Sequence, residues 1–371
     1  MHFLVSLLPT VVVLGVLILI HELGHFIACR LTRVKVEKFS IGFGPEIFHW
    51  QGKETRYAVS LLPLGGFVKP AGESIGEIEG GTPKGGDFLA APLGARIGIV
   101  LAGVLMNYAL AIVLFTVVFL MGRPVPGTTV GGFVDGYPAL ESGLQAGDKI
   151  ISVDRVPVTR WDELTSAIQR SSHQAMILEV VRKGGAAEAS HLFLSIHPKI
   201  ENAKDIFGKE EVVRRLGIIP HPEANVFEQY PFPQAFSRGL GTSVNLAVMT
   251  HKALFYLLIG RLSIKSVAGP VGIVTLTGNA AQLGLTYVLQ LTATLSVSLA
   301  VINLLPIPAL DGGHLFFLLI EGIRRKRVSL EFQERASQIG FALLMAFMVF
   351  VIYNDLVNLG FFSKIARFFS L

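Results

Sequence analysis

Two histidines and a glutamate near the beginning of the chain have the spacing of a site for metal-assisted hydrolysis. The sequence reads His21-Glu22-Leu23-Gly24-His25. On a helix, residues four apart lie on one face about 6 Å from each other, so both imidazoles can reach one ion. Zinc accepts such nitrogen ligands at about 2.0–2.1 Å. Glu22 stands beside them, where its carboxylate can take a proton from a water molecule that the metal activates.

The motif closes a segment that is apolar enough to cross a membrane. Residues 3–20 contain no charged side chain. Ionisable groups are energetically costly inside a bilayer, so each one found there is expected to serve a function. Packed or helix-capping histidines are the alternative interpretation, because the bare motif also occurs by chance. The apolar setting favours the zinc site.

The composition of the chain is that of a membrane protein. Of its 371 residues, 51% are hydrophobic and 16% are charged, which excludes an ordinary soluble protein and makes the lipid bilayer an expected partner. The formal net charge of +5 is better explained by membrane topology than by a nucleic-acid partner, and none is expected. The single cysteine, Cys29, excludes an internal disulfide and a metal site built from several cysteines.

Four apolar segments are long enough to cross a bilayer, which takes about 20 residues. They cover residues 3–29, 97–121, 285–305 and 339–359. A fifth stretch, 240–259, contains His251 and Lys252, so it is predicted to be an amphipathic helix at the interface, with a further span as the alternative. The fold class is therefore a polytopic α-helical membrane protein with about four spans.

Basic residues beside the spans predict their orientation. They follow span one, precede span two and separate spans three and four, and the positive-inside rule places all of them in the cytoplasm. Both termini and the long segment between spans two and three are then extracytoplasmic. His21 lies about 27 Å along its helix, so the motif is expected near the cytoplasmic end of span one. The basic residues are Arg30, Arg33, Lys35, Lys38, Arg96, Arg324, Arg325, Lys326 and Arg327.

Residues 33–92 are predicted to form short strands and hairpins on the cytoplasmic side of the membrane. Their apolar residues partly alternate and are broken by glycines, which is typical of strands. Such backbone has to be covered by other protein or to line a water-filled space. A free strand edge beside a peptide-cleaving site can pair with an extended substrate, which points to Leu62, Gly65 and Gly66. A packed plug is the alternative.

A second polar cluster follows span three, where two prolines end the helix. Asp311 comes shortly after Pro306 and Pro308. A zinc site with two histidines needs a third protein ligand, commonly a carboxylate, and Asp311 is the best candidate. Helix capping is the alternative role for Asp311, and His314 is the rival ligand.

Residues 123–222 change character, with more charge and several strand-like runs around one helical segment. They resemble a PDZ domain, a small α+β module that captures peptide ends or strands in a groove. Gly131, Gly132, Phe133 and Val134 are predicted to line that groove. The resemblance is carried by Gly131-Gly132-Phe133-Val134, Tyr137-Pro138-Ala139 and Gly143-Leu144-Gln145-Ala146-Gly147-Asp148-Lys149-Ile150-Ile151-Ser152-Val153.

The two motifs and the order of the segments resemble the site-2 protease family, in particular its bacterial branch of the regulator-of-sigma-E type. The pattern H-E-x-x-H lies in span one, and N-x-x-P-x-P-x-L-D-G begins at Asn303. The resemblance implies one zinc ion bound by His21, His25 and Asp311, with Glu22 as the catalytic base. It also implies that Asn303 positions the substrate. Asn107 is carried over with it, although the family's Gly-Pro-x-x-Asn pattern lacks its proline here.

This resemblance also implies the reaction and the organisation of the chain. It describes an intramembrane zinc endopeptidase of the bacterial inner membrane that cleaves single-span proteins already cut by an upstream site-1-type protease. Anti-sigma factors and remnant signal peptides are such substrates. The expected parts are a membrane half (1–122), a PDZ domain outside (123–222), a linker with the interfacial helix (223–284) and a second membrane half (285–371). A catalytically inactive PDZ adaptor and a metal transporter are the alternatives.

Overall fold

The computed structural model describes residues 2–73, 82–183, 190–204, 208, 210–263, 265, 267–358 and 360, with backbone only for residues 2–5, 43 and 62–64. The chain divides into two compact units. The membrane unit comprises Met1–Val118 and Pro231–Leu371, and the inserted unit comprises Phe119–Tyr230. In chain order the elements are α1 (His2–Leu31), β1 (Val36–Gln51), β2 (Arg56–Pro70), α2 (Leu93–Met121), β3 (Arg123–Pro126), β4 (Val130–Phe133), β5 (Lys149–Val153), β6 (Val156–Pro157), α3 (Trp161–Arg170), β7 (Met176–Arg182), β8 (Ser190–Ile196), β9 (Lys199–Lys204), β10 (Glu210–Arg215), β11 (Ile218–Pro220), β12 (Asn225–Glu228), α4 (Phe232–Leu258), α5 (Pro270–Leu283), α6 (Leu285–Asn303), α7 (Asp311–Arg324) and α8 (Leu330–Asn358).

Four helices within the described residues, α1, α2, α6 and α8, are long and apolar enough to cross a membrane. This confirms the number of spans predicted from the sequence. Helix α8 begins earlier than the predicted span because its first turns carry Glu331 and Arg335, which are good helix formers but not apolar. Leu359, the last residue of that predicted span, lies outside the described residues.

The remaining helices of the membrane unit pack on these four. Helix α4 lies against α2, where a Cβ added to Gly239 would meet Thr116 Oγ1 at 2.7 Å. Further along α4, Leu246, Ala247 and Leu254 pack around a buried cluster of Ala111, Val297 and Val301 from α2 and α6. Helix α4 covers residues 240–258 of the predicted stretch 240–259, and its position in a bilayer stays a prediction. Helix α5 packs along α1, with Gly278 against Ser6.

The chain breaks between α6 and α7, as the prolines predict. Helix α6 ends at Asn303 and α7 begins at Asp311. Pro306 and Pro308 cannot donate backbone hydrogen bonds, so the helix does not continue through them. The chain then returns very close to the first turn of α7, where a Cβ on Gly312 would overlap the Leu305 carbonyl oxygen. Only glycine fits such an approach.

Strands β1 and β2 form one irregular antiparallel sheet in the membrane unit. Phe39 pairs with both Tyr57 and Val68, and Tyr57 also pairs with Trp50. The two long strands therefore fold back on themselves, which leaves the segment 66–70 along one edge of the described sheet. This edge contacts α1, because the Val68 N–H donates to Glu22 Oε2 at 3.0 Å.

The inserted unit is built around a four-stranded sheet in the order β6-β5-β7-β8. Helix α3 covers it, and Leu164 and Ile168 of α3 are buried in an apolar core with Ile150, Leu178 and Val180. The hairpin between β5 and β6 turns at two residues with positive φ, Asp154 and Arg155. This unit is an α+β module, as expected for residues 123–222.

Candidate metal centre

Helix α1 places His21 and His25 beside each other, and α2 fixes both rings. Their Nε2 atoms lie 3.3 Å apart. The His25 Nδ1 lies 2.8 Å from the carbonyl oxygen of Ile99. A carbonyl only accepts, so Nδ1 carries the proton and the Nε2 of the neutral ring keeps its lone pair. A hydrogen-bonded Nδ1 is the usual arrangement for a histidine that binds metal through the other nitrogen.

The side chain of Asn107 contacts the Nδ1 side of the His21 ring. Its side-chain nitrogen Nδ2 lies 3.2 Å from His21 Nδ1, and Asn107 is completely buried. Its Oδ1 has no hydrogen-bond partner among the described residues, and a half-turn of the amide exchanges the two atoms. When the amide oxygen faces the ring, it accepts the Nδ1 proton and leaves His21 Nε2 available for a metal. The structure places Asn107 against a candidate ligand, and its predicted role in positioning the substrate stays a prediction.

The backbone of α2 comes very close to the two rings at Gly103. A Cβ added there would overlap His25 Nε2 and lie 2.8 Å from His21 Cε1. Any side chain at this position would push the rings apart, since carbon atoms in contact stay about 3.5 Å away. Gly103 therefore sets the distance between α2 and the metal-ligating face of α1.

Asp311 completes the cluster from the beginning of α7. Its Oδ2 lies 3.1 Å from His21 Nε2 and 3.4 Å from His25 Nε2. Leu310, not Asp311, is the N-cap residue of α7, so the capping alternative does not account for this carboxylate. Within the described residues, the group able to hold a metal consists of His21, His25 and Asp311. The geometry therefore favours Asp311 as the third ligand.

The geometry of these three atoms fits a zinc ion. Two ligands at about 2.0–2.1 Å from a tetrahedral ion lie about 3.3 Å from each other, which matches all three separations. Among the described residues, the buried Asp311 Oδ2 has no hydrogen-bond donor. A buried acceptor that faces two imidazole lone pairs is unfavourable unless a cation lies between them. A donor set of two nitrogens and one carboxylate, with a fourth position open, is that of catalytic zinc sites.

Glu22 lies at the rim of the cluster and is held by the β2 edge. Its Oε2 accepts the Val68 N–H, and a Cβ on Gly66 would lie 3.3 Å from Glu22 Cγ. Gly65 is the neighbouring residue of β2 and is buried. Leu62 also belongs to β2, but its side chain is outside the described part. The β2 edge therefore holds the Glu22 carboxylate in place, and Glu22 is not one of the three candidate metal ligands.

A cavity of about 610 Å³ leads away from the cluster. Glu22, His25, Asp311 and His314 line it together. His314 is one helical turn beyond Asp311 but is outside the ligand cluster, so it faces the same space without completing the metal site. Asn303, at the end of α6, brings its amide nitrogen to 3.3 Å from His21 Nε2. It is therefore near the position where a substrate would react.

A second cavity lies in the inserted unit and shares one residue with the predicted peptide groove. It lies between α3 and the segment 214–218. Of the four predicted lining residues only Val134 borders it, and Gly131, Gly132 and Phe133 do not. The physical reason is that β11 pairs with β4, joining Ile218 to Phe133, so β11 provides the wall instead.

Three contributors to the site were missed from the sequence: the Ile99 carbonyl, Gly103 as a spacer and the Val68 N–H. Two of them are backbone groups, which cannot be identified from residue types. Gly103 did have a signal, since it stands in the same span as Asn107, one turn away, and a glycine inside a helix often marks a close approach.

Comparisons with known proteins agree with this geometry. The model of peptidase family M50 matches residues 9–347. A predicted zinc metalloprotease of Rhizobium meliloti is 33% identical over 359 residues, covering 92% of this chain and 94% of the relative. One of Clostridium acetobutylicum is 34% identical over 352 residues, covering 95% and 97%. One of Campylobacter jejuni is 32% identical over 355 residues, covering 95% and 93%.

These relatives favour the enzyme over the adaptor and the transporter. They match almost the full length of the chain, and their names describe zinc metalloproteases. The chain therefore belongs to peptidase family M50, the site-2 protease family, and is a zinc metalloprotease of the membrane.

Proposed function

We propose that this protease hydrolyses peptide bonds within or beside the transmembrane segments of single-span proteins, with His21, His25 and Asp311 holding its zinc ion. The observation that carries the proposal is the cluster itself. Three ligand atoms 3.1–3.4 Å apart are assembled from helices of a membrane protein, and the general base lines the same cavity. A metal site in this position can act on a peptide bond in or near the bilayer.

Each residue has a defined task in this reaction. His21, His25 and Asp311 would hold a zinc ion, which would supply Lewis-acid polarisation of the scissile carbonyl and activation of the attacking water. Glu22 takes the proton from the attacking water and delivers it to the leaving amine. The Val68 N–H keeps the Glu22 carboxylate in place between these two transfers. Asn107 and the Ile99 carbonyl hold the imidazoles in the tautomers that bind metal.

The β2 edge and Asn303 are proposed to hold the substrate. A transmembrane helix hides its backbone hydrogen bonds, so it has to unwind before its peptide bond can be attacked. The segment 66–70 is a strand edge next to the Glu22 carboxylate, and an unwound chain would pair with it through backbone groups other than the Val68 N–H, which Glu22 holds. Backbone pairing there would align an extended peptide regardless of its side chains, and the Asn303 amide lies close enough to the cluster to bond its carbonyl.

The inserted unit is proposed to be a PDZ domain that controls access, as in proteases of the regulator-of-sigma-E type. On this proposal it lies outside the membrane together with both termini, and the metal centre faces the cytoplasmic side of the inner membrane. Its groove runs between α3 and the segment 214–218. Substrates would be proteins already shortened by an upstream site-1-type protease, such as anti-sigma factors or remnant signal peptides, in regulated intramembrane proteolysis.

The decisive experiment compares the wild-type protein with Glu22→Gln on single-span substrates in membranes. Loss of general-base catalysis should lower the cleavage rate by about 10²–10⁴-fold, while bound zinc and membrane insertion stay normal. Glu331→Gln is the matched control, because Glu331 is an exposed residue in the first turn of α8. Cleavage by Glu22→Gln at close to the wild-type rate would refute the mechanism.

The access role has its own test. Deleting residues 127–221 should leave cleavage of a short, pre-trimmed substrate intact and should relax discrimination against untrimmed ones. A folded deletion variant that cleaves neither substrate would contradict the role, because it would make the inserted unit part of the chemistry.

A further inference from the structure

A buried ion pair between two residues that line the cavity joins α2 to α7. Arg96 Nη1 donates to Glu321 Oε2 at 3.0 Å, and Arg96 Nη2 donates to Glu321 Oε1 at 2.5 Å. The side chains are only 5% and 15% exposed. Leu93 packs beside them, 3.1 Å from where a Cβ on Gly322 would lie. The two helices therefore meet here through a two-pronged charged contact and an apolar one.

The α2 partner of this pair lies on the face that orients the histidines. Ile99, Gly103 and Asn107 follow Arg96 at helical spacing, and each contacts His21 or His25. A shift of α2 along or about its axis would therefore move both imidazoles.

The α7 partner lies on the face that carries the carboxylate ligand. Asp311, His314, Leu318 and Glu321 all line the cavity, so one side of α7 forms its wall. Glu321 is about 15 Å along the helix from Asp311, and a rigid helix transmits its position to the other end. The ion pair thus connects the element that orients the two nitrogen ligands to the element that supplies the oxygen ligand.

Additional bonds fix the ion pair to the surrounding backbone. Arg96 Nε donates to the Ala91 carbonyl at 3.2 Å. Arg327, just after α7, donates to the Leu89 carbonyl at 2.7 Å, and its Nε lies 3.7 Å from Glu321 Oε1. Buried ion pairs add little net stability compared with apolar packing, and their best-attested use is to select one register of packed elements.

We infer that Arg96 and Glu321 are positioning residues for the metal centre. Their ion pair sets the register of α7 against α2 and thereby places the Asp311 carboxylate on the His21–His25 pair. The inference rests on the proposed ligand set and adds to it two residues outside that set.

The test measures zinc affinity of the purified full-length protein by competition with a chelating dye, together with kcat, KM and the melting temperature of the metal-free protein. The variants are Arg96→Gln, Glu321→Gln and the double variant. Each single variant should weaken zinc binding by about tenfold, the lower end of the range for residues outside the ligand set. Each should also lower kcat while changing KM by a smaller factor. The double variant should lose no more than the worse single one, because the two residues act as one unit, whereas independent effects would multiply to about 100-fold.

Asp355→Asn is the matched control. Asp355 of α8 also anchors a helix of the same unit, since it accepts the backbone N–H groups of Gly269 and Gly272 at 3.1 and 2.8 Å. It bonds neither α2 nor α7 through these contacts. This variant should lower the melting temperature and leave zinc affinity within about threefold of wild type. If Arg96→Gln does not fold, Arg96→Lys replaces it. Lysine keeps the positive charge but cannot make the two parallel hydrogen bonds of the guanidinium, so zinc affinity should fall by less than the roughly tenfold loss expected for Arg96→Gln.

Two results would overturn the inference. One is zinc affinity within about threefold of wild type in both single variants, and the other is an equal loss in Asp355→Asn. Asp311→Ala in the same assay separates this from the proposed function. If Asp311→Ala retains zinc, the proposed metal centre is wrong. If Asp311→Ala loses zinc while Arg96→Gln and Glu321→Gln do not, only the positioning role is wrong.

Discussion

Two aspartates with buried carboxylate oxygens, one in each unit, have opposite surroundings. Asp148 of the inserted unit is 1% exposed and fully bonded, with Arg182 donating to both carboxylate oxygens at 2.8 Å and the Gln145 N–H donating at 2.8 Å. Asp311 of the membrane unit has an Oδ2 without a donor among the described residues and faces two imidazole nitrogens instead. A satisfied carboxylate stabilises a fold, whereas an unsatisfied one aimed at other acceptors marks a place for a cation.

The sharpest test of this difference is removal of each carboxylate. Asp311→Ala should weaken zinc binding by more than about 100-fold, beyond the range for residues outside the ligand set, because it removes a ligand. Asp148→Ala should leave zinc content unchanged. His314→Ala should also keep zinc, and metal analysis of the purified variants measures all three. Zinc loss in His314→Ala with retention in Asp311→Ala would make His314 the third ligand.

The spacing of the metal centre can be tested at a glycine. Gly103→Ala places a methyl group against both imidazoles and should weaken zinc binding by about 10–100-fold, as for other residues that orient ligands. Gly98→Ala on the same helix is the control, since a Cβ there meets no atom within 4 Å. Gly98→Ala should bind zinc normally and raise the melting temperature slightly, because alanine is the better helix former. Equal zinc affinity in both variants would contradict the spacing role.

The hydrogen bonds of Asp148 predict that the inserted unit loses stability in acid. Burial alone would raise the pKa of Asp148, but the bonds from Arg182 and the Gln145 N–H outweigh it and hold the pKa below the ordinary value. Because the folded pKa lies below the unfolded value of about 3.9, the carboxylate stabilises the fold above about pH 4. This contribution is lost as the pH falls through the folded pKa.

Hydrogen exchange of residues 123–230 in the full-length protein measures this contribution. Asp148→Asn should destabilise the inserted unit by about 1.5 kcal/mol at neutral pH, the lower range for a hydrogen bond to a charged group. It should also flatten the dependence of protection on pH below about pH 5. An unchanged pH profile in this variant would assign the acid sensitivity to other carboxylates.

The smallest expected effect concerns the turn after β5. Arg155 has φ 67°, which costs a residue with a side chain about 1–2 kcal/mol relative to glycine. Arg155→Gly should therefore stabilise the inserted unit by about 0.5 kcal/mol after the greater freedom of the unfolded glycine is subtracted. Asp154→Gly is the contrasting variant. Asp154 has φ 49°, but its carboxylate accepts the Ile177 N–H at 2.8 Å, so its removal should be destabilising. Thermal melting of both variants gives the sign of each effect.

Much of the fold and of the centre could be predicted because the signals are local. Four apolar runs give four long helices, since a span needs only length and composition. The spacing of His21 and His25 fixes them on one helical face, and Pro306 and Pro308 end α6 wherever the rest of the chain lies. The predicted peptide groove shows the limit. That Gly131, Gly132 and Phe133 line a peptide groove stays a prediction. The pairing of β4 with β11 joins distant parts of the chain, so residue types do not reveal it.

The sequence by itself determined the kinds of ligand, the apolar helices and the family. Only the tertiary structure decided that Asp311 rather than His314 joins the histidines, because the two lie on one face of α7 and their distances to α1 depend on how that helix is held. It also decided that α2 orients the rings through the Ile99 carbonyl, Gly103 and Asn107. A backbone carbonyl is present at every residue, so it becomes specific only when packing brings one to a ring nitrogen.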